Sequence, residues 1–171
     1  MTQLDLSAPI IPSVSAGGFS IGMSIEAISP SIKGARTINY YDGFNLVQAI
    51  AENTGMLVVY RTASSEGATI YFGQDIVRLV FSKEGLLSCI YVFSGYLGSY
   101  GTTKIGQSLS QVPRAAALSY DDGDEMYYLK NAAGEYEAGL AIVALPAEKD
   151  EYPETQIEGF SIHDWSLFKR T

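Results

Sequence analysis

Apolar and polar positions alternate along most of this chain, and the alternation comes in short bursts. The stretches "MLVVYRT", "ATIYFG", "IVRLVFS" and "GLLSCIYVFSGYLG" succeed one another between residues 56 and 98, rich in Val, Ile, Tyr and Phe. Breaks at "SSEG", "GQD" and "KEG" separate them, which predicts antiparallel strands joined by hairpins. Later come "EMYYLKN", "YEAGLAIVAL" and "IEGFSIHDWSL", separated by "AAGE" and "PAEKDEYPET". Helical spacing is rarer. "NLVQAIAENTG" (45–55) carries Leu46, Val47 and Ile50 one helical turn apart and ends at Asn53–Gly55, so it predicts a helix with a glycine stop. "RAAALSYDDGDE" is a weaker helical candidate.

One phrase occurs twice. Residues 20–28 read "SIGMSIEAI" and residues 104–112 read "KIGQSLSQV", and strand-like runs come after both. In each copy a glycine (Gly22, Gly106) permits a tight entry turn, and a serine (Ser24, Ser108) can accept from backbone N–H groups two or three residues on. Ile25 and Ile28, and then Leu109 and Val112, fall on one helical face. Pro30 and Pro113 limit the length of each helix. The expectation is an α+β protein of two tandem helix-plus-antiparallel-sheet units, with the option of one shared sheet. The first would cover 1–98 with an N-terminal extension and the second 99–171. The connector would lie in "GYLGSYGTT" (95–103).

Composition narrows the class. The chain has 171 residues, 47% apolar and 18% charged, which is a globular balance rather than a disordered one. The N-terminus lacks the basic and apolar regions of a secretory signal, and no apolar run approaches a membrane span. With a single cysteine, Cys89, the expectation is a cytoplasmic protein without a disulfide, and Cys89 itself reads as a small buried hydrophobe. The net charge is −8. It argues against nucleic acid or an anionic membrane as partner and is compatible with a basic protein. The acidity is uneven: residues 102–171 hold twelve acidic and six basic side chains, against seven and five before them.

Catalytic and metal chemistry is thinly represented. His163 is the only histidine, so zinc ligation lacks ligands and a Ser–His–Asp set depends on this one residue. On strand alternation Ser161, His163 and Trp165 share a face. "YDDGDE" (120–125) resembles a calcium loop only superficially, and a polar turn is the plainer reading. No cofactor is expected. Tyrosine is abundant, at 12 residues, and several tyrosines stand next to Asp or Glu. Tyr combines rigid contact area with a polar tip and is enriched at interfaces.

The segment "IIPSVSAGGFSIGMSIEAI" (10–28) resembles the opening of small bacterial immunity proteins encoded beside polymorphic toxins, including those of contact-dependent growth inhibition systems. Ser13 stands where that phrase would carry Gly. The "IGMS" phrase also looks like the helix starts of small outer-membrane assembly lipoproteins, and tandem helix–sheet units look like the β-lactamase inhibitory protein. The first resemblance implies a non-enzymatic cytoplasmic protein that covers the active site of a cognate toxin C-terminal domain, often a nuclease with a basic groove. An acidic surface would speed that encounter. Asp121, Asp122, Asp124, Glu125, Tyr127, Asp150, Glu151, Tyr152 and Glu154 are the candidate contact residues. The rival readings are a non-catalytic interaction module of an envelope or secretion assembly, and a small hydrolase using His163 and carboxylates.

Overall fold

A computed structural model describes residues 3–40, 45–60 and 66–168. Tyr41, Arg61 and most of the "SSEG" break lie outside the described residues. A small hairpin opens the chain: β1 (Ser15–Ala16) and β2 (Phe19–Ser20). Gly17 and Gly18 turn between them, both with positive φ, as a two-residue turn of this hand requires. Nine further strands form one sheet. They are β3 (Arg36–Asn39), β4 (Met56–Tyr60), β5 (Glu66–Phe72), β6 (Val77–Ser82), β7 (Leu87–Phe93), β8 (Leu118–Asp121), β9 (Met126–Leu129), β10 (Leu140–Val143) and β11 (Gly159–His163). The spatial order is β3-β4-β5-β6-β7-β11-β10-β9-β8, antiparallel throughout except for the parallel β3–β4 pair.

The α+β expectation of two helix-plus-sheet units is therefore wrong. The protein is predominantly β. Its helical structure amounts to α1 (Ser29–Ile32), α2 (Leu46–Ala51) and single 3₁₀ turns. The reason lies in the repeated phrase, which binds to a strand end instead of starting a helix. In the first copy Gly22 N–H donates to Leu87 O at 2.7 Å, Leu87 N–H to Met23 O at 2.8 Å and Ile25 N–H to Gly85 O at 2.8 Å. In the second, Gly106 N–H donates to Ile157 O at 2.8 Å, Ile157 N–H to Gln107 O at 2.8 Å and Leu109 N–H to Thr155 O at 2.9 Å. Both glycines sit in the left-handed region, with φ of 81° and 84°. Ser24 and Ser108 do accept local N–H groups, from Glu26 and Ser110, but what they cap is one 3₁₀ turn. A backbone already paired sideways has no i−4 partner left to extend a helix. Pro30 lies in the first turn of α1, where its missing N–H costs nothing. "RAAALSYDDGDE" becomes a 3₁₀ turn at Ala115–Ala117 and then β8.

Each clasp ends at the start of a central strand, β7 or β11, and those two strands pair with each other over five residue pairs from Gly159–Phe93 to His163–Cys89. On either side of this seam the chain runs as a four-stranded meander, β4 to β7 and β8 to β11.

The first face of the sheet carries the main core. Val58, Ile70, Leu79, Ile90, Phe160 and Tyr127 pack there under the N-terminal segment and the 94–117 and 144–157 loops. The N-terminal segment is held by Tyr96, whose hydroxyl donates to Ala8 O at 2.7 Å and accepts from the Gly17 N–H at 2.8 Å. A Cβ on Gly18 would overlap the Gln3 carbonyl oxygen, and one on Gly98 the Ala8 carbonyl oxygen. Gly therefore stands at both close approaches for steric reasons. The second face is covered at one end by α2, through Leu46, Ala49 and Ile50. Val47, which shares the helical spacing in sequence, is turned out to solvent. At the other end lies the C-terminal turn Trp165–Phe168.

This packing sets two expected outcomes. Tyr96→Phe removes both hydrogen bonds and strands the buried Gly17 N–H, so chemical denaturation should show a loss of about 1–3 kcal/mol. Ser13 is held at φ 59°, the conformation for which a glycine is the natural residue. Ser13→Gly should raise stability by roughly 0.5 kcal/mol, the relief of left-handed strain exceeding the added chain entropy.

Candidate partner interface

The acidic residues lie in two places. Asp121, Asp122, Asp124 and Glu125 form the β8–β9 turn. Asp121 Oδ1 accepts the N–H groups of Gly123 (2.9 Å) and Asp124 (3.0 Å), which fixes the turn without any ion. Asp122, Asp124 and Glu125 are exposed. Among the described residues no three His, Cys, Asp or Glu side chains are grouped to hold a metal ion. Asp150, Glu151 and Glu154 lie on the loop between β10 and β11 and are also exposed. Glu151 Oε2 accepts the Glu148 N–H at 2.9 Å, and the Glu151 carbonyl accepts from Glu154 and Thr155, so this loop is a compact set of turns.

Tyr127 and Tyr152 link the two segments from inside. Tyr127 is fully buried and meets Tyr152 edge-on, with ring centroids 5.8 Å apart. Its hydroxyl accepts from Ala147 N–H at 2.7 Å and donates to Leu145 O at 3.1 Å. These two tyrosines belong to the core of the first face and present no side chain to a partner. Asp124 instead turns toward the second face, where the Tyr128 hydroxyl donates to Oδ2 at 2.7 Å. The candidate contacts thus do not form one patch with two tyrosine anchors.

The second face supplies other aromatics. Four rings run in series over β9, β11 and their flanks. Tyr136 contacts Tyr128 (centroids 5.0 Å apart), Tyr128 contacts His163 (6.0 Å), and His163 stacks on Trp165 (4.2 Å). The middle two are sealed and the ends are open: Tyr136 is 42% and Trp165 41% exposed. Lys130 Nζ lies 5.2 Å from the Tyr136 ring centroid. Towards the sheet centre on the same face, the Arg78 guanidinium stands over Tyr71, Tyr91 and Phe93 at 5.1–5.3 Å and pairs with Asp75.

His163 shows what this face can do chemically. Its Nε2 accepts the Gly139 N–H at 3.4 Å, so the ring proton sits on Nδ1, which faces Ser161 Oγ at 3.3 Å. Ser161 Oγ in turn lies 3.3 Å from Cys89 Sγ. All three side chains are buried. Burial lowers the His163 pKa to about 4, against the opposing pull of Asp124. Burial likewise pushes Tyr128 up, reinforced by its hydrogen bond to Asp124. This is a neutral, satisfied core histidine whose nitrogens are both engaged. Strand alternation places Ser161 and His163 on one face from sequence alone. Tyr136 and Trp165 are visible there as interface-type residues, but nothing in the sequence sets them at the two ends of one ring series.

No family model matches the chain, and no curated protein does. Among solved structures, the uncharacterized protein yfeY from Escherichia coli is similar at 15% identity with a TM-score of 0.44, over 69% of this chain and 88% of that one. Among the described residues no helix is long and apolar enough to cross a membrane.

The histidine yields a pH prediction. Its folded pKa lies below the unfolded value, so the stabilising neutral state is fully present above pH ~6.5 and is lost as pH falls toward about 4. Denaturation curves should show the wild type losing on the order of 2 kcal/mol more than His163→Gln between pH 7 and pH 4. Parallel curves for the two proteins would rule out the buried neutral histidine.

Proposed function

We propose that this chain acts by binding another protein, as a cytoplasmic immunity protein that covers the active site of a cognate toxin domain. The observation that carries this reading is the ring series of the second face. A rigid, sealed middle holds Tyr136 and Trp165 half out of the surface, and the exposed carboxylates of the 121–125 turn stand beside it through the Asp124–Tyr128 hydrogen bond. Trp and Tyr anchors in a fixed setting are what dominate binding energy at protein interfaces. Neighbouring carboxylates set the approach of a basic partner. The likeness of residues 10–28 to immunity proteins supports the same reading.

The hydrolase alternative needs His163 as base, and that ring has no solvent-facing nitrogen in this structure. The reading as a general assembly module shares the binding face and differs only in partner.

The test is co-expression with the C-terminal domain encoded by the gene immediately upstream. That domain alone should arrest growth, and the chain should restore it. Tyr136→Ala with Trp165→Ala should weaken binding at least 100-fold by calorimetry, and Asp122→Lys with Glu125→Lys should slow association at low salt. A harmless upstream domain, or one that kills equally with the chain present, would sink the proposal.

A further inference from the structure

The first face holds a cavity that the proposed binding surface does not use. It lies where β4 begins and β5 turns into β6, opens to solvent and has a volume of about 420 Å³. Phe19, Ile28 and Phe72 are buried beneath it, and Leu4, Met56 and Ile76 rise around it. The side chains able to hydrogen-bond there are those of Gln3 and Thr54, and no titratable group lines it.

Both walls are held in place before anything enters. On one side Asn53, itself buried, donates its amide hydrogens to Gly55 O (3.2 Å) and Gly73 O (2.7 Å), and Gly73 N–H donates to Gly55 O at 2.8 Å. The Thr54–Gly55 rim is thereby tied to the β5–β6 turn. On the other side Asp5 N–H donates to Gly17 O at 2.9 Å, and Leu6 O accepts from both Leu97 (2.8 Å) and Gly98 (3.0 Å). An apolar hollow of this size with fixed walls does not close by collapse, and filling it requires no ordering of the protein.

We propose that this cavity binds a small, uncharged, largely apolar molecule, with Thr54 and Gln3 available to its one hydrogen-bonding group. The size comes from the volume: at roughly 30 Å³ per small group, the occupant has on the order of ten to fifteen non-hydrogen atoms. The charge comes from the lining. A carboxylate or ammonium placed there would be desolvated against hydrocarbon with no counter-ion, and an anion would also meet the field of a protein of net charge −8. An apolar side chain of a protein partner would bring backbone amides to a rim whose carbonyls Asn53 already occupies, so the small molecule is the better match. This inference stands independently of the immunity reading.

The full chain can be titrated with the neutral fluorophore N-phenylnaphthylamine, and then challenged with octanol and with octanoate as competitors at pH 7.5. Saturable one-to-one binding is expected, displaced by octanol at least tenfold more effectively than by octanoate. Gly55 lines the cavity and has open space where a Cβ would stand. Gly55→Leu should therefore fold and weaken the fluorophore at least tenfold. Methyl spectra of the wild-type protein give a reading that does not depend on the variant: saturating octanol should shift the Ile28, Met56 and Ile76 methyls. Absence of saturable binding, octanoate binding as tightly as octanol, unchanged affinity in a folded Gly55→Leu, or shifts confined to other methyls would each overturn the proposal.

Discussion

The antiparallel pairing of β7 with β11 is the constraint on which the rest of this structure depends. These strands come from opposite ends of the chain's strand-forming regions, yet their five paired residues make one sheet of two meanders. Everything functional sits to one side or the other of that seam. His163 and Cys89 are its last pair, which puts Ser161 and His163 under the aromatic series of the second face. Phe160 and Ile162 point the other way, into the main core. A one-residue slip would exchange the two sets, so the register of this single pair decides both the core and the proposed binding face.

The repeated Ile-Gly-x-Ser phrase explains how the seam is positioned. Each copy grips the chain just before a central strand, at Leu86–Leu87 and at Gln156–Ile157, with the same three backbone hydrogen bonds. The sequence shows the repetition, the entry glycine and the capping serine, and all three are real features of the structure. It does not show that the backbone around them is spent on lateral pairing. Four apolar positions at helical spacing look the same whether they start a helix or line one 3₁₀ turn against a sheet. Propensity is a weak prior where a few long-range hydrogen bonds can outweigh it. The strands are more legible because alternation survives burial: Val58, Ile70 and Leu79 on one face and Leu57, Tyr71 and Arg78 on the other match the pattern directly.

The same asymmetry governs the candidate site. Exposed carboxylates at turn residues can be read from sequence, since Asp-Gly turns stay on the surface, and Asp122, Asp124 and Glu125 do. Tyrosines beside them cannot be sorted the same way. Tyr127 and Tyr128 are neighbours, and alternation guarantees only that they point apart. One enters the core against Tyr152 and the other meets His163 and Asp124. Which neighbour faces the interface depends on where β9 lies relative to β11, and that is set by long-range pairing.

The two faces also divide the physical tasks. On the second face, polarity is used up internally: the Tyr128 hydroxyl is spent on Asp124, and the His163 nitrogens on Gly139 and Ser161. What remains for a partner there is ring surface, fixed in place by stacking worth about 0.5–1.5 kcal/mol per pair. A surface of that kind favours a flat or convex protein partner, because each ring end is held without cost when the partner arrives. On the first face the cavity is concave and its polar backbone is already satisfied by Asn53, which suits a compact apolar occupant and offers a protein backbone little to bond. The β7–β11 seam lies between them, with Ile90 and Val92 turned to one side and Cys89 and Tyr91 to the other. Occupancy of the cavity would therefore act on the ring series only through strands whose register is fixed by paired hydrogen bonds, and such strands transmit little displacement. The two surfaces are expected to work independently, the acidic, aromatic face choosing a partner and the apolar hollow choosing a small molecule.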